Sequence, residues 1–295
     1  MTTSAESDPG PEGRPAGVPA GLADRCTAAW ELVPDGPARD DDGALVLPVR
    51  TRAGEPAVLR LSPPRPRAEH EHLALRVWAG RGAVRLLRAE PADRALLLER
   101  TASRDLHELP VLEACRVLGE LTRALARPPR PPFPRLSAAA GRWQAELAAS
   151  VDLDARFPRR FRLQAVKSLE RLRRGELDAA LVHQDLHYGA VRASARAPWL
   201  AAGADAVLGT REYALVPALW HRLDEAGHGG ALAAALADRM EALALAAGAD
   251  EEALRAWALV RCAVAARDEA ARPSGAPHRE LSRLVQLCKA LQRGA

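Results

Sequence analysis

Short runs in which apolar and polar residues alternate dominate the first hundred positions of the chain. Such alternation is typical of strands, whereas the spacing of Leu73, Val77 and Trp78 is typical of a helix. The predicted elements are a short helix over 21–32, a hairpin of strands over 44–50 and 57–61, a helix over 68–79, and strands over 83–87 and 95–98. This part of the chain should therefore be mainly strands with an inserted helix.

Longer apolar periods of helical type replace the alternation in the rest of the chain. They predict helices over 111–127, 136–150, 158–174, 229–247, 250–271 and 277–292, with a short strand region over 179–202. We therefore predict an α+β protein with two lobes. The predicted parts are a disordered tail over 1–20, a small β-rich N-lobe over 21–101 and a larger α-helical C-lobe over 102–295. Ligands of such proteins usually bind between the lobes.

Composition and charge limit the classes of function. Of the 295 residues, 48% are hydrophobic and 27% are charged, as in ordinary globular proteins. The net charge is only +4 and aromatic residues make up 4%, which argues against a nucleic-acid-binding surface. The N-terminus has no apolar signal-peptide core, and no apolar run is long enough for a membrane span. We therefore expect a cytoplasmic protein with no membrane or nucleic-acid partner.

Lysine is almost absent from the chain. Of the 42 basic residues, 40 are arginine, because the only lysines are Lys167 and Lys289. Neither lysine lies in the first half of the sequence. The predicted N-lobe therefore has no lysine with which to bind phosphate or to act in catalysis.

The most distinctive polar segment, residues 179–191, reads A-A-L-V-H-Q-D-L-H-Y-G-A-V, an apolar strand that leads into a polar loop. On an extended backbone His183, Asp185 and His187 would share one face, so they could bind a metal ion. Asp185 could instead act as a general base at the end of a strand. In a third interpretation these side chains form only the local hydrogen bonds of a polar loop.

This loop resembles the catalytic loop of the aminoglycoside and hydroxyurea antibiotic-resistance kinases, of the streptomycin kinase type, which reads H-G-D-L-H-x-G-N-V. The matching residues are His183, Asp185, Leu186, His187, Gly189 and Val191. Further segments resemble the family in the same order, namely a strand at 57–61, a helix at 69–78, a strand and hinge at 80–87 and 96–100, and the metal-binding strand and its sequel from 199 to 220. The resemblance spans roughly residues 30 to 295 and implies a protein-kinase-like fold.

Kinases of this family transfer a phosphoryl group from ATP, with Mg²⁺, to a hydroxyl of a small molecule. The resemblance therefore implies an aminoglycoside-like or other hydroxylated ligand and a place in antibiotic resistance or secondary metabolism. It also implies that Asp185 accepts the hydroxyl proton, with His183 at the base of its loop. The positions that it assigns to the nucleotide are Arg60, at the family's strand lysine, Glu69 and Glu71, either of which could pair with Arg60, and Glu99, in the hinge that meets adenine.

The positions that bind nucleotide and metal in the family are mostly replaced in this chain. Arg60 stands in place of the lysine, Ala190 in place of the loop asparagine, and Gly203 in place of the strand aspartate. Mg²⁺ binds through carboxylates and phosphates, and neither Ala190 nor Gly203 has a ligand atom in its side chain. We therefore predict a pseudokinase with weak or absent activity and with weak or absent binding of ATP and Mg²⁺. Such a member could bind a small molecule or a protein partner.

Other interpretations stay open from the sequence. Asp205 lies two residues after Gly203 and would face the same way on a strand, so a shift in register could make it the metal ligand of an active small-molecule kinase. A metal-binding protein that uses His183, Asp185 and His187 is the other alternative. Tyr188 could either obstruct the phosphate region or cover the loop.

Overall fold

A computed structural model describes residues 17–41, 43–272 and 279–293 of the protein. Its N-terminal sheet contains the strands β1 (Val33–Pro34), β2 (Arg39–Asp41), β3 (Ala44–Arg50), β4 (Pro56–Leu61), β5 (Leu86–Glu90) and β6 (Ala95–Glu99). They pair antiparallel in the order β1–β3–β4–β6–β5, and β2 also pairs with β3. The helices α1 (Leu22–Ala29) and α2 (Pro66–Trp78) complete what we call the N-lobe.

Period-two alternation sorts the side chains of β4 onto the two faces of the sheet. Ala57, Leu59 and Leu61 are fully buried and belong to a hydrophobic cluster that also contains residues of α1. Val58 and Arg60 point to the opposite face and line the cavity between this sheet and the rest of the chain. The strand register therefore brings Arg60 to the inter-lobe cleft.

The rest of the chain, the C-lobe, is mainly helical. Its helices are α3 (Val111–Leu125), α4 (Leu136–Ala149), α5 (Arg159–Leu172), α6 (Arg211–Trp220), α7 (Gly230–Ala247), α8 (Glu251–Ala270) and α9 (Arg279–Arg293). Its short strands are β7 (Ala180–His183), β8 (Val191–Arg192), β9 (Leu200–Ala201) and β10 (Ala206–Gly209), which form the antiparallel pairs β7–β10 and β8–β9. The loop that contains Asp185 connects β7 to β8, so both strand pairs hold it. None of the helices in the described ranges is long and apolar enough to cross a membrane.

The two-lobed α+β architecture predicted from the sequence is confirmed, but some elements differ. Helix α6 was not predicted, because it contains Pro217, which lacks the backbone N–H of a helix interior. Its first turn is capped by Thr210, whose hydroxyl accepts the backbone N–H of Tyr213 at 3.3 Å. Strand β5 begins later than predicted, because Ala83 instead pairs with Ala201 of β9 across the two lobes.

The tail predicted over residues 1–20 lies mostly outside the described residues. Val18, however, is only 3% exposed and belongs to the same hydrophobic cluster as Leu22 and Cys26 of α1. Apolar burial therefore holds Val18 against α1.

Candidate functional site

A cavity of about 470 Å³ lies between the two lobes. Val46, Val58, Val84 and Leu98 give it an apolar lining, and the chain passes along it as residues 99–101 leave the sheet. The polar side chains of the lining include Arg60, Glu71, Asp185 and Asp205, contributed by both lobes. A cleft with an apolar part and a few convergent charged groups suits a ligand that is part flat and hydrophobic and part charged.

Asp185 reaches the cleft because β7 ends two residues before it, at His183. The His183 ring is buried, and its Nδ1 accepts a hydrogen bond from the backbone N–H of Asp185 at 3.2 Å. Its Nε2 therefore carries the proton and donates to the carbonyl of Gly203 at 3.2 Å. Trp78 stacks on the ring with 5.7 Å between centroids, and burial lowers the pKa of His183. The neutral imidazole thus fixes the Asp185 loop to the strand segment that contains Gly203.

Arg60 and Glu71 form an ion pair inside the cleft. Arg60 Nε lies 3.8 Å from Glu71 Oε1, and Arg60 Nη1 lies 3.9 Å from Asp41 Oδ2. Glu71 is only 5% exposed, and this burial raises its pKa although Arg60 opposes the shift. The separations are longer than hydrogen bonds, and neither Arg60 Nε nor Glu71 Oε1 has a hydrogen-bond partner within the described residues. Each of these two side chains therefore keeps one buried polar atom without a hydrogen bond in the wall of the cleft.

The resemblance also assigned Glu69 and Glu99 to the nucleotide, and of these two only Glu99 lines the cavity. Glu69 lies on the exposed side of α2 and is not part of the cavity lining, so Glu71 rather than Glu69 pairs with Arg60. The Glu99 carboxylate lines the cavity but accepts hydrogen bonds from Arg196 at 2.8 and 2.9 Å and from the backbone N–H of Arg85 at 3.0 Å. Burial would raise the pKa of Glu99, but these donors outweigh it and hold the pKa below its usual range.

The residues at the positions assigned to Mg²⁺ do not fit the ion. A Cβ built on Gly203 would lie 3.3 Å from Arg60 Nη1, so the guanidinium takes up the space into which an aspartate would project. Ala190 offers only a methyl group, and its carbonyl already accepts the backbone N–H of Ala202 at 2.8 Å. Mg²⁺ requires a near-octahedral set of oxygen ligands, and a neighbouring fixed cation repels it.

Gln184, which the sequence interpretation did not single out, holds Asp205 in place. Its Nε2 donates to Asp205 Oδ1 and its backbone N–H donates to the Asp205 carbonyl, both at 2.8 Å. Its Oε1 accepts from the hydroxyl of Tyr213 at 3.2 Å, and its carbonyl accepts from Arg261 at 3.3 Å. The Arg261 guanidinium lies over the rings of Tyr213 and Trp220. The signal in the sequence is an amide where the resembling loop has glycine.

The metal site proposed for His183, Asp185 and His187 does not form. Both nitrogens of His183 are engaged with backbone groups, and His187 stacks on His221 with 4.3 Å between ring centroids. Across residues 17–41, 43–272 and 279–293, no three His, Cys, Asp or Glu side chains come together in a way that could hold a metal ion. The interpretation of the motif as a metal centre is therefore wrong.

His221 is a cleft residue that no sequence motif indicated. Its ring lines the cavity beside His187, and it follows directly after the last residue of α6. Burial and the neighbouring His187 lower the pKa of His221 to about 4, although the charge of Asp185 acts in the opposite direction. The His221 ring is therefore uncharged at neutral pH.

Tyr188 does not obstruct the cleft. Its side chain is fully buried in the C-lobe, with its Oη 3.2 Å from Cys115 Sγ on α3. Burial raises the pKa of Tyr188, so the hydroxyl stays protonated. Tyr188 therefore anchors the Asp185 loop on the C-lobe core and covers it from the side away from the cleft.

Comparison with known proteins places this cleft in context. A family model for aminoglycoside/hydroxyurea antibiotic resistance kinases matches residues 29–271. The chain is 38% identical over 226 residues to streptomycin 6-kinase of Streptomyces griseus, which covers 74% of this chain and 73% of that protein. It is 34% identical over 238 residues to hydroxyurea phosphotransferase of Kitasatospora aureofaciens, which covers 79% and 67%, respectively.

The fold is similar to that of solved small-molecule kinases. Amicoumacin kinase hAmiN, solved in complex with AMP-PNP, Ca²⁺ and Ami, superposes with a TM-score of 0.60 at 14% identity over 92% of this chain and 93% of that chain. At this identity the likeness shows the fold alone. The architecture is that of the protein-kinase-like phosphotransferases, as the sequence predicts.

Proposed function

Since the chain belongs to the aminoglycoside/hydroxyurea antibiotic resistance kinase family, we propose that it is a pseudokinase, a member in which phosphoryl transfer is weak or absent. The apolar lining of the cleft leaves space for a base, and Asp185 keeps its place at the cavity. The positions that would hold Mg²⁺ have lost their ligand atoms. The role of the cleft is then to bind a ligand, and the protein acts through that complex or through a protein partner.

The contact between Arg60 and Gly203 carries this proposal. A carboxylate at position 203 would have to share its space with the guanidinium, so the two replacements fit each other sterically. Phosphoryl transfer depends on a metal that bridges the phosphates and neutralises the developing charge. Each loss of about 1.4 kcal/mol of transition-state stabilisation slows the reaction about tenfold, so the loss of both metal ligands is a severe impairment.

The small molecule bound beside Asp185 is, in our proposal, aminoglycoside-like or another hydroxylated metabolite. Two relatives are named for streptomycin and hydroxyurea, and both compounds carry hydroxyl groups. Asp185, His187 and His221 line the cavity on the C-lobe side and offer hydrogen-bonding groups to such a ligand. The proposal assigns a role in antibiotic resistance or secondary metabolism on the same grounds.

An active kinase that uses Asp205 as a substitute metal ligand is the second candidate. Asp205 and Asp185 both line the cavity, which favours it. Against it, Gln184 donates to Asp205 Oδ1, and Ala190 still has no ligand atom in its side chain. The candidates differ in one measurable respect, because only the second gives turnover that requires both Mg²⁺ and Asp185.

Release of ADP from MgATP decides between the two candidates. The wild type and Asp185→Asn would be assayed with streptomycin and with hydroxyurea as acceptors, at matched protein concentrations. We expect phosphoryl transfer in the wild type to be too slow to exceed background ATP hydrolysis, so both proteins should release ADP at the same rate. A rate that depends on Asp185 and on Mg²⁺ would contradict the proposed function and favour Asp205 as a ligand.

Restoration of the metal positions should make Mg²⁺ tighten ATP binding, an effect that we do not expect in the wild type. Gly203→Asp alone places a carboxylate against Arg60, where the two would pair with each other. We therefore expect that only the combination of Gly203→Asp, Ala190→Asn and Arg60→Lys tightens ATP binding with Mg²⁺, by about tenfold or more, and that the single changes do not add up to this effect. Calorimetric titration of each variant with and without Mg²⁺ checks it. A folded triple variant that binds MgATP like the wild type would show that positions 190 and 203 are wrongly assigned.

A further inference from the structure

A permanent positive charge lies in the cleft at the place assigned to a divalent cation. The Arg60 side chain is only 20% exposed, and its Nη1 lies 3.3 Å from the position of a Cβ on Gly203. Arginine stays protonated under all physiological conditions, and its planar group of donors matches the oxygens of phosphate. Because its ion pairs with Glu71 and Asp41 are longer than hydrogen bonds, the Arg60 guanidinium can still donate to an anionic ligand.

Further arginines extend this positive region. Arg39, Arg65 and Arg192 line the same cavity as Arg60. The guanidinium of Arg65 lies against the turn between β2 and β3, since a Cβ on Gly43 would be 2.8 Å from its Nη2. Arginines from β2, from the start of α2 and from β8 therefore approach the cavity from both lobes. Such a set suits a ligand with several phosphate oxygens.

Five carboxylates line the cavity, and the charges of Glu71, Glu99 and Asp205 are compensated by other groups. Gln184 donates to Asp205, and Arg196 together with the Arg85 backbone N–H donates to Glu99. Glu71 is paired with Arg60, with 3.8 Å between Glu71 Oε1 and Arg60 Nε. The repulsion that these groups exert on a phosphate is therefore weaker than their number suggests.

We infer that the cleft binds a nucleoside triphosphate in its metal-free form, with the Arg60 guanidinium beside Gly203 in the role of the cation and the apolar lining around Val58 and Leu98 in contact with the base. This inference rests on the proposed function, because it needs a cleft without a working metal site. A complex of this kind should respond to Mg²⁺ in the direction opposite to that of a kinase that binds MgATP. The ion neutralises phosphate charge in solution and competes with Arg60 for the same oxygens, so it should weaken the complex.

The test is calorimetric titration of the full-length protein with ATP, once in EDTA and once in excess Mg²⁺. We expect binding in EDTA and an affinity at least about fivefold lower in Mg²⁺. Arg60→Gln should lower the affinity in EDTA about tenfold or more, the loss expected for a charge-assisted hydrogen bond, while Arg60→Lys should lose less. The matched control is Arg76→Gln, at an exposed arginine of α2 outside the cavity, which should bind like the wild type. Inorganic tripolyphosphate in EDTA should bind more weakly than ATP, because it makes no use of the apolar lining.

Each result decides the inference. Equal or tighter binding in Mg²⁺ overturns it, as does the absence of ATP binding in EDTA, and so does tripolyphosphate that binds as tightly as ATP. If Arg60→Gln does not fold, as judged by its thermal unfolding, Gly203→Asp replaces it, because the new carboxylate should neutralise Arg60 and weaken binding in EDTA by a similar factor. The proposed function fails by a different measurement, namely ADP release that depends on Asp185.

Discussion

The Arg60 guanidinium takes up the space beside Gly203, because its Nη1 lies 3.3 Å from the position that a Cβ on Gly203 would occupy. The order of the motifs assigned these residues to the family's nucleotide and metal positions, and the prediction of a weakened metal site rests on residue type alone. The sequence did not reveal that the guanidinium of Arg60 occupies the space beside Gly203, because that contact depends on the distance between two elements far apart in the chain. Nor could it choose between Glu69 and Glu71, since both lie on one helix and only its packing buries Glu71.

The hydrogen bonds around Gln184 were beyond sequence-based prediction for a similar reason. An amide in a polar loop is compatible with exposure to solvent, and only the pairing of β7 with β10 brings Asp205 within 2.8 Å of it. The histidines of the loop gave a misleading signal, because alternation along an extended strand stops where β7 ends at His183. His187 thus stacks on His221 instead of sharing a face with His183.

His221 should make the stability of the protein sensitive to mild acid. Its pKa is about 4 in the folded protein, against about 6.5 in an unfolded chain, so the unfolded state binds more protons between these values and stability falls as the pH drops through this window. His221→Phe keeps a ring to stack on His187 but does not titrate. Between pH 7 and pH 5 the variant should therefore lose less unfolding free energy than the wild type, by at most about 2 kcal/mol.

Urea unfolding at the two pH values measures this difference. His228→Gln, which changes an exposed histidine in the segment before α7, should show the pH dependence of the wild type. An equal loss of stability in His221→Phe and the wild type would mean that His221 titrates alike in the folded and unfolded states.

Most helices and strands could be predicted from the period of their apolar residues. The exceptions depend on contacts between elements that are far apart in the sequence. Helix α3 has its buried residues on one face and was predicted within two residues of its observed end. Helix α6 is buried almost all round and contains Pro217, so neither an amphipathic period nor uninterrupted helix-forming residues marked it. The start of β5 was misplaced because an apolar segment that pairs across the lobes looks like any other strand in sequence.

Glycine in α3 sets how closely this helix approaches α7. A Cβ on Gly119 would lie 2.7 Å from both the Ala246 Cβ and the Leu243 carbonyl oxygen, so the helices would have to move apart. Gly119→Ala should gain up to about 1 kcal/mol of helix propensity, yet overpacking of the backbone contact costs more, and we expect a net loss of about 1–3 kcal/mol. Chemical denaturation measures the change in unfolding free energy.

Gly141 in α4 is the matched control for this prediction. Its added Cβ would meet nothing closer than the flexible end of Arg173, at 3.6 Å. Gly141→Ala should therefore stabilise the protein by about 0.5–1 kcal/mol, through helix propensity alone. If both alanine variants were stabilised, the close approach of α3 and α7 would not limit the packing.

The two lobes are joined by more than the chain that crosses between them. Residues 82–84 exchange backbone hydrogen bonds with Ala201 of β9 at 2.9 Å. The indole N–H of Trp78 donates to the carbonyl of Leu125 at the end of α3, at 2.8 Å. Arg196 donates to both carboxylate oxygens of Glu99 and to the carbonyls of Gly80 and Ala83. The two-lobed arrangement could be predicted from the order of strands and helices, but these contacts could not.

Arg196 should couple the stability of the N-lobe to that of the C-lobe. Its guanidinium is the C-lobe group that satisfies Glu99 and two N-lobe carbonyls at once, so Arg196→Gln should cost about 1–3 kcal/mol, the range for hydrogen bonds to charged groups. Arg196→Lys should recover only part of this loss, because one ammonium cannot reproduce a planar fork that spans four acceptors.

Hydrogen exchange in Arg196→Gln should then speed up more in the N-lobe residues 82–99 than in α8, since the N-lobe loses the contact while the C-lobe core is unchanged. The control is Arg81→Gln, at an exposed arginine in the turn between Gly80 and Ala83, and it should exchange like the wild type. Equal acceleration in 82–99 and α8 would mean that Arg196 stabilises the whole molecule uniformly and does not act as a link between lobes.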